Sequence, residues 1–166
     1  MHNYWTPAKK TLLILALFVT DRLTKVWAET HVKPYPPQVY WGDFFRFEYA
    51  ENTGAFLSLG AFLPETTRFW IFSVAVGIFL IGATVMLYID KKMDSISAFA
   101  LSIICSGGFG NLYDRVLRPN HGVIDFMNMG VGPIRTGIFN VADMAILLGV
   151  IILFFKSFKK PNESKP

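Results

Sequence analysis

Between Arg68 and Asp90 the chain carries no charged side chain, and nearly every residue there is apolar. Folded as a helix at about 1.5 Å per residue, such a run reaches across the ~30 Å hydrocarbon core of a bilayer. Three further stretches approach the same composition: about Thr11–Glu29, Ile96–Tyr113 and Ile138–Phe155, each with polar or ionised residues toward one end. A soluble domain carries about 25% charged residues. This chain of 166 residues carries 17%, with 52% hydrophobic residues and a mean hydropathy of +0.39. The sequence therefore predicts an all-α membrane protein of four transmembrane helices, over about 11–29, 68–89, 96–113 and 138–155. It forms a single integral membrane domain over 1–166, with long connections at about 30–67 and 114–137.

The basic residues orient it. Lys9 and Lys10, Lys91 and Lys92, and Lys156, Lys159, Lys160 and Lys165 fall in three segments that share one side of a four-span chain. The positive-inside rule puts that side, with both termini, in the cytoplasm. The net charge of +4 is then a matter of orientation and not a nucleic-acid-binding face. Lys9, Lys10 and the run Leu12–Val19 imitate a secretory signal with a weak cleavage site at Val26-Trp27-Ala28. Asp21, Arg22, Lys25 and the bulky Trp27 break that pattern, so the segment is expected to remain as a span.

In the first outer connection, Gln38–Trp41 and Phe44–Tyr49 flank Gly42-Asp43, which reads as a short hairpin or small sheet. Trp5, Trp27, Trp41 and Trp70 suit interfacial anchoring. Glycines 107, 108 and 110 lie within a span and are expected to permit close helix packing. The lone Cys105, in an apolar run, is expected to be packing, and the tail 161–166 to fray.

An ionisable group inside a span is costly unless paired or hydrated, and so is a functional candidate. Asp21 and Lys25 share one face of the first helix, Asn111, Asp114 and Arg115 close the third, and Asn140 and Asp143 sit three apart in the fourth. Asp125 lies in the connection between the last two spans. Counted from Gly137, Asp143 is placed ~9 Å into the fourth helix, on the same outer side as the other groups. Chemistry is narrowed by what is missing. His2, His31 and His121 have no zinc-binding spacing, and Ser58, Ser102 and Ser106 have no nearby His or Lys in sequence. Two carboxylates are then the most economical catalytic pair, one taking a proton from water while the other donates to a peptide carbonyl. The bland competitor is that Asp125 or Asp143 pairs with Arg115, Lys25 or Arg135, and that Asp114 pairs with Arg115.

Five segments, in this order and spacing, resemble lipoprotein signal peptidase (signal peptidase II): Asp21-Arg22-Leu23-Thr24-Lys25, Asn52-Thr53-Gly54-Ala55, Gly110-Asn111-Leu112-Tyr113-Asp114-Arg115, Val123-Ile124-Asp125-Phe126 and Phe139-Asn140-Val141-Ala142-Asp143. The resemblance implies an aspartyl endopeptidase of the bacterial inner membrane, active near the outer leaflet. It would remove signal peptides from diacylglyceryl-modified prolipoproteins, just before the lipidated cysteine. It implies Asp125 and Asp143 as the dyad, with Asp21, Lys25, Asn52, Gly54, Asn111, Arg115 and Asn140 lining or supporting the site. It further implies no metal or cofactor, a small extracytoplasmic sheet acting as a cradle, and lipidated precursors and membrane lipids as the partners of a monomer. The sequence departs from the family pattern at Arg22, where Gln is usual, at Phe56, and at Ser106 before Gly107 and Gly108. Those departures motivate the alternative of a specialised or non-catalytic paralogue that binds lipid-modified partners.

Overall fold

The computed structural model describes residues 5–54, 60 and 62–158. Phe56, Ser58, Lys159, Lys160, Lys165 and the tail 161–166 lie outside the described residues. Four long helices are formed: α1 (Pro7–His31), α2 (Glu65–Ile89), α3 (Ser95–Leu117) and α4 (Val141–Ser157). Three of the starts have a side-chain cap. Pro7 occupies the first turn of α1, where its missing N–H costs nothing, behind the Thr6 cap. Asp94 caps α3 by accepting from the amides of Ile96 and Ser97. Asn140 caps α4 in a reciprocal box with Asp143. Within α2, Trp70–Ala75 is wound as a π-helix.

Contacts at the two ends fix the up-and-down arrangement. At one end the ammonium of Lys10, near the start of α1, donates to the carbonyl of Leu87, near the end of α2, at 2.7 Å. There too Lys156, at the end of α4, meets Asp94 and Ser97 at the start of α3. At the other end Arg118, just after α3, bridges Glu29 of α1 and Glu51 at 2.7 Å each. Helix α3 is central and packs against α1, α2 and α4. Its glycines make this possible: a Cβ at Gly107 would strike the carbonyl of Ala142, and one at Gly108 would enter the Leu80 side chain.

The hairpin expected over 38–49 is present as β1 (Gln38–Tyr40) and β2 (Phe45–Asn52), and the sheet is larger than the sequence suggested. Strand β3 (Val123–Val131) pairs antiparallel with β2, and β4 (Ile134–Arg135) closes the order β1-β2-β3-β4. A bulge between Phe47 and Ala50 inserts one residue into β2. Side chains alternate faces along a strand, so the bulge turns Asn52 onto the face that carries Asp125. One face of the sheet end packs Ile124 and Phe126 over Ala28 and Val32 of α1.

Among the described residues two helices, α2 and α3, are long and apolar enough to cross a membrane. Large apolar side chains point outward on α1 (Leu12, Leu23), α2 (Ile78, Phe79) and α4 (Leu147, Phe154, Phe155) alike. That inverted surface belongs to a protein solvated by lipid.

Candidate functional site

The polar residues singled out in sequence converge where the sheet meets the helices, and Asn140 lies at their centre. Its side chain is fully buried. Its amide nitrogen donates to Asp125 Oδ1 at 2.6 Å, while its backbone N–H donates to Asp143 Oδ2 at 3.1 Å. One residue thus holds both carboxylates. Each has a second donor: Asn52 Nδ2 reaches Asp125 Oδ2 at 3.0 Å, and Asn111 Nδ2 reaches Asp143 Oδ1 at 2.8 Å. The two amides are fixed the right way round by their own oxygens. Asn111 Oδ1 accepts from Lys25 Nζ at 2.9 Å and Asn140 Oδ1 from the Asp143 amide at 2.9 Å, leaving the NH2 groups to face the acids.

Asp143 is placed differently from the sequence expectation. Helix α4 begins at Val141, so Asn140 is its cap and Asp143 lies in the first turn instead of ~9 Å along. The cause is the extended backbone before it: Phe139 pairs with Met127, and Asn140 has φ −132° and ψ −177°. Neither Asp125 nor Asp143 forms an ion pair among the described residues. Arg135, one suggested partner, turns to Asp43 and to Asn128 Oδ1.

The other two acids of the cluster are ion-paired: Asp21 meets Lys25 on its own helix face, as expected, and Asp114 pairs otherwise than expected. Lys25, 1% exposed, lies 3.1 Å from Asp21 and 2.8 Å from Asp114. Arg22 Nη1 and Nη2 reach Asp114 Oδ1 at 2.5 Å and Asp21 Oδ2 at 2.7 Å, and its guanidinium lies 4.8 Å from the Tyr113 ring centroid. Asp114 therefore pairs with α1, and not with Arg115 beside it. Consecutive helical residues point about 100° apart, so Arg115 faces elsewhere. Its guanidinium donates to the carbonyls of Gly54 and His121 and lies 5.4 Å from the Phe72 ring centroid. Gly54 joins the site through that carbonyl, its own amide being held by Asn52 Oδ1 at 3.0 Å. Ser106, the other departure within the described residues, donates to the Ile14 carbonyl at 2.8 Å and tightens the α1–α3 seam.

Asp125 is 2% exposed. Burial, and then the charge of Asp143, push its carboxyl up to about 7. Near neutral pH such a pair holds one proton between its members, which suits simultaneous acid and base action. Asp143 is half-buried and lines two cavities. One, of about 360 Å³, opens between α2, α3 and α4 beside Asn111 and Arg115. The other, of about 370 Å³, lies between the sheet and α4, bounded by Phe45, Met127, Phe139 and Met144. Asp143 thus borders two largely apolar hollows. No cluster of potential metal ligands occurs among the described residues.

Arg22 is the residue whose importance the sequence understated. It stood out only as a departure, although a base beside Asp21 and three residues from Lys25 was the available signal.

The family model for signal peptidase (SPase) II matches residues 13–159. The chain is 32% identical over 152 residues to the lipoprotein signal peptidase of Yersinia enterocolitica and 31% identical to that of Yersinia pseudotuberculosis, covering 91% of this chain and 87% of each relative. Two solved structures described as a bacterial membrane enzyme superpose with TM-scores of 0.79 and 0.77 at 26% identity, covering 99% and 97% of this chain and 99% of theirs. With the match running from α1 through both carboxylate-bearing segments and on past the end of α4, this chain belongs to the signal peptidase II family.

Proposed function

We propose that this membrane protease of the lipoprotein-processing family is an aspartic endopeptidase whose dyad is Asp125 and Asp143. It would cut diacylglyceryl-modified prolipoproteins just before the lipidated cysteine. The observation that carries the reading is Asn140, which gives its side-chain amide to one carboxylate and its backbone amide to the other, with no cation paired to either among the described residues. A structural acid in an apolar setting takes an ion-pair partner, as Asp21 and Asp114 do. A reactive pair is left free to share a proton.

In the reaction the ionised member takes a proton from water as the water oxygen bonds to the scissile carbonyl carbon. The protonated member gives its proton to the carbonyl oxygen. As the tetrahedral adduct collapses, one of its hydroxyls returns a proton to the ionised member and re-forms the carbonyl, the carbon–nitrogen bond breaks, and the member that took the proton from water gives it to the departing amine, which resets the pair. Asn52, Asn111 and Asn140 hold the carboxylates, Lys25 holds Asn111, and Arg115 ties the Gly54 segment to the site.

The same reading makes all four helices spans and residues 1–166 one membrane domain. Lys10 and Lys156 share one end of the bundle, as expected for a cytoplasmic face bearing both termini. The dyad and sheet lie at the other end, at the outer leaflet of the inner membrane. A precursor would enter sideways, with its lipid tails in the bilayer, to a monomeric enzyme that needs no metal or cofactor. The test is mass spectrometry of one lipidated precursor incubated with wild type, Asp125→Asn or Asp143→Asn. The wild type releases a signal peptide ending at the residue before the modified cysteine, and both variants accumulate in the membrane but release none. Processing by either variant at the wild-type rate removes the dyad assignment.

A further inference from the structure

The quartet of the buried Asp21, Lys25 and Asp114 with the partly buried Arg22 takes no part in the proton transfers above, yet it grips the backbone next to both reacting groups. Asp21 Oδ1 accepts the amide of Ala142 at 3.1 Å, and Asp114 Oδ2 accepts the amide of Ile124 at 3.3 Å. Ala142 immediately precedes Asp143, and Ile124 immediately precedes Asp125. Each dyad residue therefore follows an amide anchored by a buried carboxylate. Those two carboxylates are in turn joined by Arg22 and Lys25.

The two cations differ as links. Lys25 is a point charge on a flexible stem that also serves Asn111. Arg22 is a rigid planar fork: Nη1 donates to Asp114 Oδ1, and Nη2 donates to Asp21 Oδ2 and, at 3.2 Å each, to Asp114 Oδ2 and the Gly110 carbonyl, with the guanidinium 4.8 Å from the Tyr113 ring centroid. Its length fixes the separation of Asp21 from Asp114. Its charge also brings the quartet to two anions and two cations, where Lys25 alone would leave one buried carboxylate uncompensated. Buried ionic clusters seldom add net stability over apolar packing, so what this one supplies is position.

We propose that Arg22 is a positioning residue: by tying Asp21 to Asp114 it sets the spacing between the Ala142 and Ile124 anchors, and through them the geometry of Asp143 and Asp125. The inference rests on the assignment of those two aspartates as the dyad. It adds a residue of α1 that touches neither substrate nor dyad to the parts that determine turnover.

The experiment uses purified full-length protein in lipid–detergent micelles and a synthetic precursor peptide with a dipalmitoylglyceryl cysteine, with rates expressed per folded molecule. Misplacing reacting groups by about 1 Å costs on the order of 100-fold in rate. Arg22→Gln is therefore expected to lower kcat about 10-fold or more while KM stays within about threefold, because the substrate grooves are untouched. Arg22→Lys, which restores the charge without the fork, recovers at most part of the loss. An unchanged kcat in Arg22→Gln, a loss confined to KM, or full recovery by Arg22→Lys overturns the proposal. If Arg22→Gln cannot be obtained folded, Arg22→Lys decides alone: a kcat at least about threefold below wild type supports the role, and a wild-type kcat ends it. Asp125→Asn and Asp143→Asn in the same assay separate the layers. Turnover by either removes the dyad and this inference with it, whereas two inactive dyad variants beside an unimpaired Arg22→Gln remove only the role of Arg22.

Discussion

Replacing Asn140 separates its two duties, capping α4 and holding Asp125. In Asn140→Ala both are lost. The cap contributes about 1 kcal/mol, and a hydrogen bond to an ionised acceptor about 1.5–3 kcal/mol. The 2.6 Å contact with the buried Asp125 belongs at the strong end of that range. The Ala variant should lose about 3 kcal/mol, allowing for the non-additivity of neighbouring contacts. Asn140→Ser keeps a good cap but cannot reach Asp125, so it should be more stable than Ala by about 1 kcal/mol, or about 2–4 °C in unfolding temperature. In turnover the two variants should be equal, each about 10–100-fold below wild type, since both lack the donor. Thermal unfolding in micelles and single-turnover cleavage of a lipidated precursor measure the two effects side by side. A serine variant with wild-type turnover, or one no more stable than alanine, would refute the reasoning.

The carboxyl of Asp125, raised to about 7, makes folding weaker as pH rises. The native state binds this proton more tightly than the unfolded chain, so the contribution is complete below about pH 4 and gone above about pH 7, a span on the order of 4 kcal/mol. Unfolding temperature measured across that window should fall, and Asp143→Asn, which removes the neighbouring charge, should flatten the fall. Turnover should decline through about pH 7 as the shared proton is lost. Gly110→Ala places a Cβ 2.6 Å from Asp21 Oδ2 and should cost about 1–3 kcal/mol along with activity, whereas Gly82→Ala, with nothing within 4 Å, should be neutral or slightly stabilising. Arg115→Lys loses the fork that spans the carbonyls of Gly54 and His121, and progress curves should show KM raised about 10-fold or more with folding retained. Glu51, outside the helices, runs opposite to Asp125. Burial opposes its ionisation, but hydrogen bonds from Tyr49, Lys33 and Asn120 and the charge of Arg118 outweigh this and hold it at about 2. Glu51→Gln should therefore destabilise above about pH 4, and its deficit in unfolding temperature should shrink as pH falls toward about 2.

The helices were legible because apolar runs bounded by charges are a strong, local signal, and the hairpin because Gly42-Asp43 separates two alternating stretches. Helix starts were less so. Hydropathy cannot distinguish Ile138 in an extended segment from Ile138 in a helix, and only the Asn140–Asp143 box shows where α4 begins. Strand β3 was hidden for a related reason: Val123–Val131 is buried on both sides at its start, and its partners in β2 lie far away in sequence. Polar convergence could be foreseen from topology and the Asp21–Lys25 pair from its i,i+4 spacing, whereas the pairing across helices could not. Asp114 and Arg115 are adjacent in sequence and point apart in space, while Asp114 and Arg22 come from different helices and meet at 2.5 Å.

Chain connectivity gives the quartet of Asp21, Arg22, Lys25 and Asp114 a meaning in time. Asp125 and Asp143 belong to elements close in sequence, β3 and α4, with only β4 between them, which the Phe139–Met127 bridge can bring together locally. The fork and the ammonium that lock them come from α1, near the opposite end of the chain, and reach them through α3. Under the proposed dyad and the proposed role of Arg22, placing the last helix does not by itself complete the site: the cutting geometry requires the first and last helices to have closed around the third, and a half-assembled molecule would be inactive by its own topology.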